Sequence, residues 1–327
     1  MAGRSVDEGA AVNRIPKVAV GLPVYNGENY LAETLDLLLG QTFEDFELII
    51  SDNCSSDRTA EICRDYAAGD RRILYTRNDS NIGSAPNSNR VFSLARSPYF
   101  TWKAHDDRSD PRFLEKCVAV LDAEPDVVLA HTASLTIDDR GDPLPFDAGR
   151  GCYIYNPGGY EVPPDTTHIA EGRDPVARFV ELLDEHYFGM HMYGVVRREA
   201  LAATALFRSY MPCERAMLSE LALIGRFVTL EDQLYARRVH ARSACFMSLP
   251  QRWEYEQTAD NPDRHLFPRL RAFLSAPLRS RAIDHRQRLA CIGHVLAAAG
   301  RSKLARLARR LPLPGAGREP ERKTVYQ

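Results

Sequence analysis

This sequence predicts an α/β fold with a Rossmann-like, mostly parallel sheet between helices. Three observations carry the prediction: short apolar, β-branched runs that end in polar residues, leucines at helical spacing between those runs, and alternation of the two over the first 130 residues. Lys17-Val-Ala-Val-Gly-Leu-Pro-Val24 reads as a buried strand, and Phe46-Glu-Leu-Ile-Ile-Ser51 as a second. Between them, residues 29–39 place Leu31, Leu35 and Leu38 or Leu39 on one helical face, away from Glu28, Glu33 and Asp36, with Gly40 as the C-cap. That completes one βαβ unit. Ser55 or Ser56 can cap a helix through Ala60, Ile62, Cys63 and Tyr66, after which residues 72–76 read as a third strand. A helix near 87–95 and a strand at 99–103 continue the alternation. Residues 138–175, rich in Gly, Pro and Asp, are too long for an ordinary connection and read as an irregular segment or mobile lid. Helical periodicity returns at 175–183, 197–206 and 215–223. The tail then carries Leu270, Phe273 and Leu274, followed by amphipathic order from Ile283 to Leu307.

The composition is that of an ordinary globular protein: 327 residues, 44% hydrophobic and 26% charged, with a formal net charge of −2. At about 150 residues per domain, the length suits two domains or one α/β domain with insertions. Seven scattered cysteines without a C-x-x-C pair argue against a disulfide scaffold or a structural zinc site. No run of 18 apolar residues occurs and none opens the chain, so neither a signal peptide nor a spanning helix is expected and the predicted location is cytoplasmic. The charge is uneven. From Arg264 onward 15 Lys or Arg stand against three acids. Such a basic tail, with Leu on one face, fits a peripheral anchor on anionic lipid, a patch for an anionic acceptor, or a solvated helical pair. No recognised nucleic-acid module accompanies it, and nucleic acid is not an expected partner.

Three polar clusters fall where strands should end: Pro23-Val-Tyr-Asn26, Asp52-Asn-Cys-Ser-Ser-Asp57 and His105-Asp-Asp107. In open α/β sheets ligands gather beyond the carboxyl ends of the strands, where a carboxylate can meet a base or ribose and helix N-termini favour phosphate. Asp52-Asn53 fits such a site, and it also fits a turn ahead of a helix cap. Adjacent carboxylates at Asp106 and Asp107 gain from a hard cation such as Mg²⁺ or Mn²⁺ or from a sugar hydroxyl between them, although a solvated loop would also carry them. Neither G-x-G-x-x-G nor a P-loop is present, which removes support for dinucleotide dehydrogenases and P-loop NTPases.

The run Gly21-Leu-Pro-Val-Tyr-Asn-Gly-Glu28 with Tyr30-Leu31, Gln41-Thr42, residues 46–59, Asn81-Ile-Gly83 and Trp102-Lys-Ala-His-Asp-Asp107 together resemble the inverting family 2 glycosyltransferases of the GT-A fold over roughly residues 17–130. The resemblance implies that Pro23, Tyr25, Asn26, Asp52 and Asn53 border the nucleobase and ribose. Asp52 would read the base, as in relatives that use UDP-sugars, and Arg77 or Asn81 would close the pocket. It implies that Asp106 touches ribose or sugar and that Asp107 holds Mn²⁺ or Mg²⁺ beside the diphosphate, with His105 standing at the first position of the D-x-D motif. His240 resembles a further metal or diphosphate ligand, and also fits a structural histidine. The family's catalytic carboxylate stands before an apolar helix in the second half. Glu214 is preferred because the helix, Gly225-Arg226-Phe227, a strand and Arg238-Val-His240 follow it in the expected order, with Glu231-Asp232 as the runner-up pair. The implied division is a leader over 1–15, a nucleotide-sugar-binding half over 16–130, an acceptor-binding and catalytic half over 131–250, and a basic helical region over 251–327.

The expected activity is displacement at the anomeric carbon of a nucleotide-sugar, with Glu214 taking the proton of an acceptor hydroxyl and the anomeric configuration inverting. Tyr153, Tyr155 and Tyr160 could stack on a sugar, or lie in a passive loop. His186, His191, Met192 and Tyr193 fall in the stretch expected to form the acceptor pocket. The alternative from another class is a non-catalytic nucleotide-sugar or glycan-binding protein that has kept the fold.

Overall fold

A computed structural model describes residues 14–155, 159–183, 190–208, 213–243, 246 and 266–310. Most of the expected leader, His186, residues 156–158 and residues 251–265 lie outside the described residues.

Strand β1 (Val18–Val24) is buried almost throughout, as β-branched residues covered by helices on both faces should be. Helix α1 (Leu31–Leu39) turns Leu31, Leu35 and Leu38 onto the sheet. The chain continues through β2 (Phe46–Asp52), α2 (Thr59–Gly69), β3 (Ile73–Arg77), α3 (Ser84–Leu94) and β4 (Tyr99–Trp102). Helix α2 is not capped by Ser55 or Ser56. The Ser55 hydroxyl accepts instead from Asn26 N across the strand ends, and Asp57 accepts from Thr59 N (3.0 Å) at the start of the helix. Helix α3 begins at Ser84, ahead of the predicted residue 87, because Gly83 at φ +90° turns the chain and Pro86 is tolerated in a first turn.

The second half runs through β5 (Arg108–Ser109), α4 (Phe113–Ala123), β6 (Val127–Ile137), β7 (Phe146–Asp147), β8 (Cys152–Tyr155), β9 (Tyr160–Val162) and α5 (Pro175–Glu181). A 3₁₀ turn (His191–Tyr193), β10 (Val195–Arg197), α6 (Arg198–Ala202), α7 (Cys213–Ile224), β11 (Arg226–Arg238) and the helices Leu266–Arg279 and His285–Arg310 follow. The segment 138–175 is therefore not simply irregular: β7, β8 and β9 form a three-stranded antiparallel sheet of their own. The predicted helix 197–206 is a strand end followed by five helical residues, because Val195-Val196 pair in the sheet.

The main sheet has the order β3-β2-β1-β4-β10-β6-β11-β5. The β3-β2-β1-β4 set and the β6-β11 pair are parallel, while β10 runs antiparallel between β4 and β6. The chain leaves β1 for β2 and β3 on one side and returns to β4 on the other, which opens a crevice at the carboxyl ends of β1 and β4. One core fills the face with Leu22, Leu35 and Phe113, and a second the face with Phe100, Trp102, Leu218 and Phe227. The helices near the C-terminus pack Phe273 and Ala276 against Phe179 and Leu223.

Candidate active site

The crevice holds a cavity of about 490 Å³ lined on one side by Pro23, Tyr25 and Asn26 from the end of β1 and on the other by Arg238 and His240. Of the predicted nucleotide residues, Asp52, Asn53, Arg77 and Asn81 do not line this cavity and are fastened to one another and to their neighbours. Asp52 is fully buried, accepting from Ser55 N (2.8 Å) and the Tyr75 hydroxyl (3.1 Å) and pairing with Arg77 Nε (3.1 Å). Burial and the neighbouring Asp52 push the Tyr75 hydroxyl up to about 12. Arg77 also donates to Ser55 O (2.7 Å), so the pair clamps the ends of β2 and β3 together. Asn53 accepts from Asn78 Nδ2 and Ile82 N (both 3.0 Å) and donates to Asn81 Oδ1 (2.7 Å). Asn26, held at φ +51°, accepts from Ser56 N (2.9 Å). Beside the main cavity, Asn53 lines a small hollow with Pro23, Tyr25 and Ser84.

The two acids after β4 have different surroundings. Asp107 is buried within the fold: Oδ2 accepts from the Tyr235 hydroxyl and Oδ1 from Arg238 N (2.8 Å), both from β11. Burial and the adjacent Asp106 push its carboxyl up to about 7. Asp106 instead presents Oδ2 to His240 Nε2 at 2.9 Å. Burial would raise Asp106, but His105 and His240 hold it below the usual carboxylate range. Arg238 braces this loop, donating to Asp106 O (2.7 Å) and to Glu33 Oε2 (2.8 Å) while lying over the Tyr30 ring.

Asp106 and His240 thus place an oxygen and a nitrogen together on the cavity wall, a donor set that suits Mn²⁺ or Mg²⁺ if substrate oxygens and water complete the coordination. Among the described residues, no three His, Cys, Asp or Glu form a ready-made metal cluster.

Glu214 is the second residue of α7 and half-buried, and it accepts from the Cys213 thiol (3.5 Å). It is not among the residues lining the cavity. Cys213, however, packs on the same core as Met192 and Tyr193, which do line it. Glu231 and Asp232 sit where β11 bulges between Leu230 and Gln233 and pair elsewhere, Glu231 with His168 (3.2 Å) and Asp232 with Lys116 (3.9 Å). His191 is a core residue, its Nε2 3.1 Å from Thr167 O, and burial pulls it to about 4. Tyr155 stacks on Phe246 (5.3 Å between centroids) in a cluster with Val162 and Val239, next to His240.

Four residues of this network were not singled out in the sequence for a role here. Lys103 donates to Tyr193 O (3.1 Å) and lies 3.5 Å from the Phe113 ring centroid, with burial pulling it to about 7. Tyr235, Arg238 and Glu33 complete the bracing of the acidic loop. A lysine directly after an apolar strand is a readable signal for Lys103. The other three depend on which strands become neighbours.

The comparisons with known proteins agree with this architecture. A family model described as "Glycosyl transferase family 2" matches residues 19–200. The chain is 37% identical over 131 residues to the putative glycosyltransferase EpsE of Bacillus subtilis (strain 168), a match covering 40% of this chain and 47% of that protein. It is 30% identical over 135 residues to a chondroitin synthase of Escherichia coli, covering 41% and 19%. The chain therefore spans less than half the length of these curated relatives. The fold resembles that of S. aureus TarS 1–349 in complex with UDP-GlcNAc, with a TM-score of 0.61, 16% identity and coverage of 91% of this chain and 76% of that one. It also resembles the mannosyltransferase PcManGT from Pyrobaculum calidifontis in complex with GDP-Man and Mn2+, with a TM-score of 0.51, 17% identity and coverage of 92% and 78%. Both structures share the GT-A architecture seen here. Since the family model takes in more than half of the chain, the protein belongs to glycosyl transferase family 2.

Proposed function

We propose that this protein transfers a sugar from a nucleotide diphosphate donor, UDP-linked, to an acceptor hydroxyl by a single displacement with inversion, assisted by Mn²⁺ or Mg²⁺. The observation that carries the reading is the Asp106–His240 pair on the wall of a crevice at the carboxyl ends of β1 and β4. The complexes of TarS with UDP-GlcNAc and of PcManGT with GDP-Man and Mn2+ support a nucleotide-sugar and a divalent cation in this architecture.

In this reading Tyr25 and Pro23 border the base, and the Asp52–Arg77 clamp keeps the strand ends in place around it. Asp106 and His240 would hold the cation. When bound, it supplies positive charge to the departing diphosphate. Asp107 acts through the fold, anchoring its loop to β11. Glu214 accepts the proton of the acceptor hydroxyl as that oxygen bonds to the anomeric carbon, and the broken carbon–oxygen bond leaves its electron pair on the diphosphate. Lys103 fixes the Tyr193 carbonyl and with it the wall formed by Met192 and Tyr193.

The test is a thermal-shift series with UDP-, GDP- and dTDP-sugars, with and without Mn²⁺, on the wild type and Asp106→Asn. Stabilisation by one nucleotide class that needs both the metal and Asp106 is expected. A metal-dependent shift that survives Asp106→Asn overturns the assignment. Metal-dependent donor binding without turnover over a range of acceptors would favour the binding-protein reading.

A further inference from the structure

A second and larger cleft, about 1250 Å³, lies at the amino ends of β6 and β11, the opposite end of these strands from Arg238. Its floor is Val128 at the start of β6 and Gly225 before β11, and its walls come from α5, α6, α7 and the helix Leu266–Arg279. Six arginines line it: Arg173, Arg178, Arg197, Arg226, Arg279 and Arg281, against the carboxylates of Asp126, Glu199 and Glu220.

The pairing among these groups is uneven. Arg226 is neutralised by Asp126 (2.7 Å) and Glu124, and Arg279 by Glu220. Arg178 and Arg197 use their donors on neutral carbonyls. Arg178 reaches Ala222 O (2.7 Å), Gly172 O (3.0 Å) and Arg173 O (2.8 Å), and Arg197 reaches Val127 O (2.8 Å), Leu121 O (2.5 Å) and Glu124 O (3.2 Å). Carbonyl bonds fix a guanidinium in place without cancelling its charge. Asp174, whose field also reaches Arg178, caps α5 through Val176 N and Ala177 N. Arg173 and Arg281 stand exposed on the rim. Once the internal ion pairs are set aside, Arg173, Arg178, Arg197 and Arg281 remain in the lining without a carboxylate at ion-pair distance among the described residues, although Asp126 and Glu181 also act on Arg178 and Asp122 lies within the field of Arg197; Glu199 is the carboxylate left in the lining.

We propose that this cleft is a binding site for a phosphate-bearing anion carrying two or more negative charges, taken up as free diphosphate or as the phosphorylated headgroup of a lipid. Planar guanidinium forks match phosphate oxygens in pairs, and several converging on a recessed site favour a multiply charged ligand over a single carboxylate. The volume is ample for a diphosphate or a headgroup. The wall supplied by Leu266–Arg279 belongs to the part of the chain where 15 basic residues stand against three acidic ones. Arg279 and Arg281 of that stretch line the cleft.

The experiment titrates the full chain with inorganic diphosphate in EDTA, so that no divalent cation recruits the anion to the Asp106–His240 side. In parallel the chain is co-sedimented with vesicles of phosphatidylcholine alone or mixed with phosphatidylinositol 4-phosphate, whose headgroup carries a phosphomonoester as well as the phosphodiester. Both series are repeated with Arg173→Ala/Arg281→Ala, which removes two exposed side chains and leaves the carbonyl-bound arginines alone. Saturable binding weakened about tenfold or more in the variant, with an unchanged melting temperature and unchanged nucleotide-sugar binding, is the expected result. Loss confined to diphosphate assigns a free anion, and loss confined to phosphatidylinositol 4-phosphate vesicles assigns a lipid headgroup. No saturable binding in either arm, or equal affinity in the variant, overturns the proposal.

Discussion

Asp106 and Asp107 are neighbours in sequence and both line the crevice, yet Asp107 is fastened to β11 by Tyr235 and Arg238 while Asp106 pairs with His240. Asp106 stands in a bend between β4 and β5, so strand alternation does not separate the two acids, and a motif that names both cannot say which is the ligand. The sequence expectation gave the metal to Asp107. The hydrogen bonds that occupy both of its oxygens are the reason for moving that role to Asp106 in the proposed mechanism. The general base rests on a different argument. Glu214 stands in the first turn of α7, where the N-terminal end of the helix dipole favours negative charge. Glu231 and Asp232 are tied to His168 and Lys116 on a bulge. Glu214→Gln keeps the shape and removes the basicity, so turnover should fall by about 10²–10⁴-fold with donor affinity unchanged. Asp232→Asn should leave turnover within about twofold, because exposed ion pairs contribute little. Steady-state rates beside a donor-binding titration check both. The reverse pattern would move the base to β11.

At the level of elements, β1, α1, β2 and α2 were legible because strong local signals coincide there: β-branched runs, leucines at helical spacing and polar strand ends. The three-stranded β7–β9 sheet was not. Its strands are two to four residues long and lie among Gly, Pro and Asp, so pattern alone reads as loop, and Tyr155 and Val162 pack in a cluster with Leu144 and with Val239 and Phe246, which are distant in sequence. Strand β11 is 13 residues long, because pairing with β6 carries it through the polar Glu231-Asp232 bulge. The turn from α7 into β11 shows how little room such junctions leave. A Cβ on Gly225 would stand 2.3 Å from Val128 Cγ1 and 2.9 Å from the Asp126 carbonyl. The valine belongs to β6 and the carbonyl is main chain, so neither can move without shifting the strand. Gly225→Ala should therefore cost about 1–3 kcal/mol in urea unfolding while leaving the distant nucleotide-sugar site intact. An unchanged midpoint would mean that the junction relaxes freely.

For the whole molecule, the sheet closes over buried histidines, and these couple its stability to pH. His191 and His131 pack ring to ring in the interior, 5.7 Å between centroids, with Phe113, Tyr235 and Phe227 around them. Burial pulls His191 to about 4, and burial together with His191 takes His131 well below its ordinary value. His191 is therefore neutral in the folded chain near pH 5, and His131 shifts in the same direction, whereas the unfolded chain protonates both at about 6.5. A folded value below the unfolded one means that the unfolded state binds the proton more tightly. The contribution is complete above pH 6.5 and is lost as pH falls towards 4. Asp107 acts in the opposite sense. Its folded value of about 7 lies above that of a free carboxyl, so the folded state gains protons, and stability, as pH drops through 7. The two effects overlap, and the acid limb of the wild type alone cannot separate them. His191→Gln can, because its amide is able to keep a hydrogen bond to Thr167 O without titrating. Between pH 7 and pH 5 the wild type should lose about 2 kcal/mol relative to this variant, read as the difference between their unfolding free energies at the two pH values. Parallel curves for the two proteins would show that His191 does not titrate as a buried neutral group. The acid response of the fold would then have to come from its carboxylates.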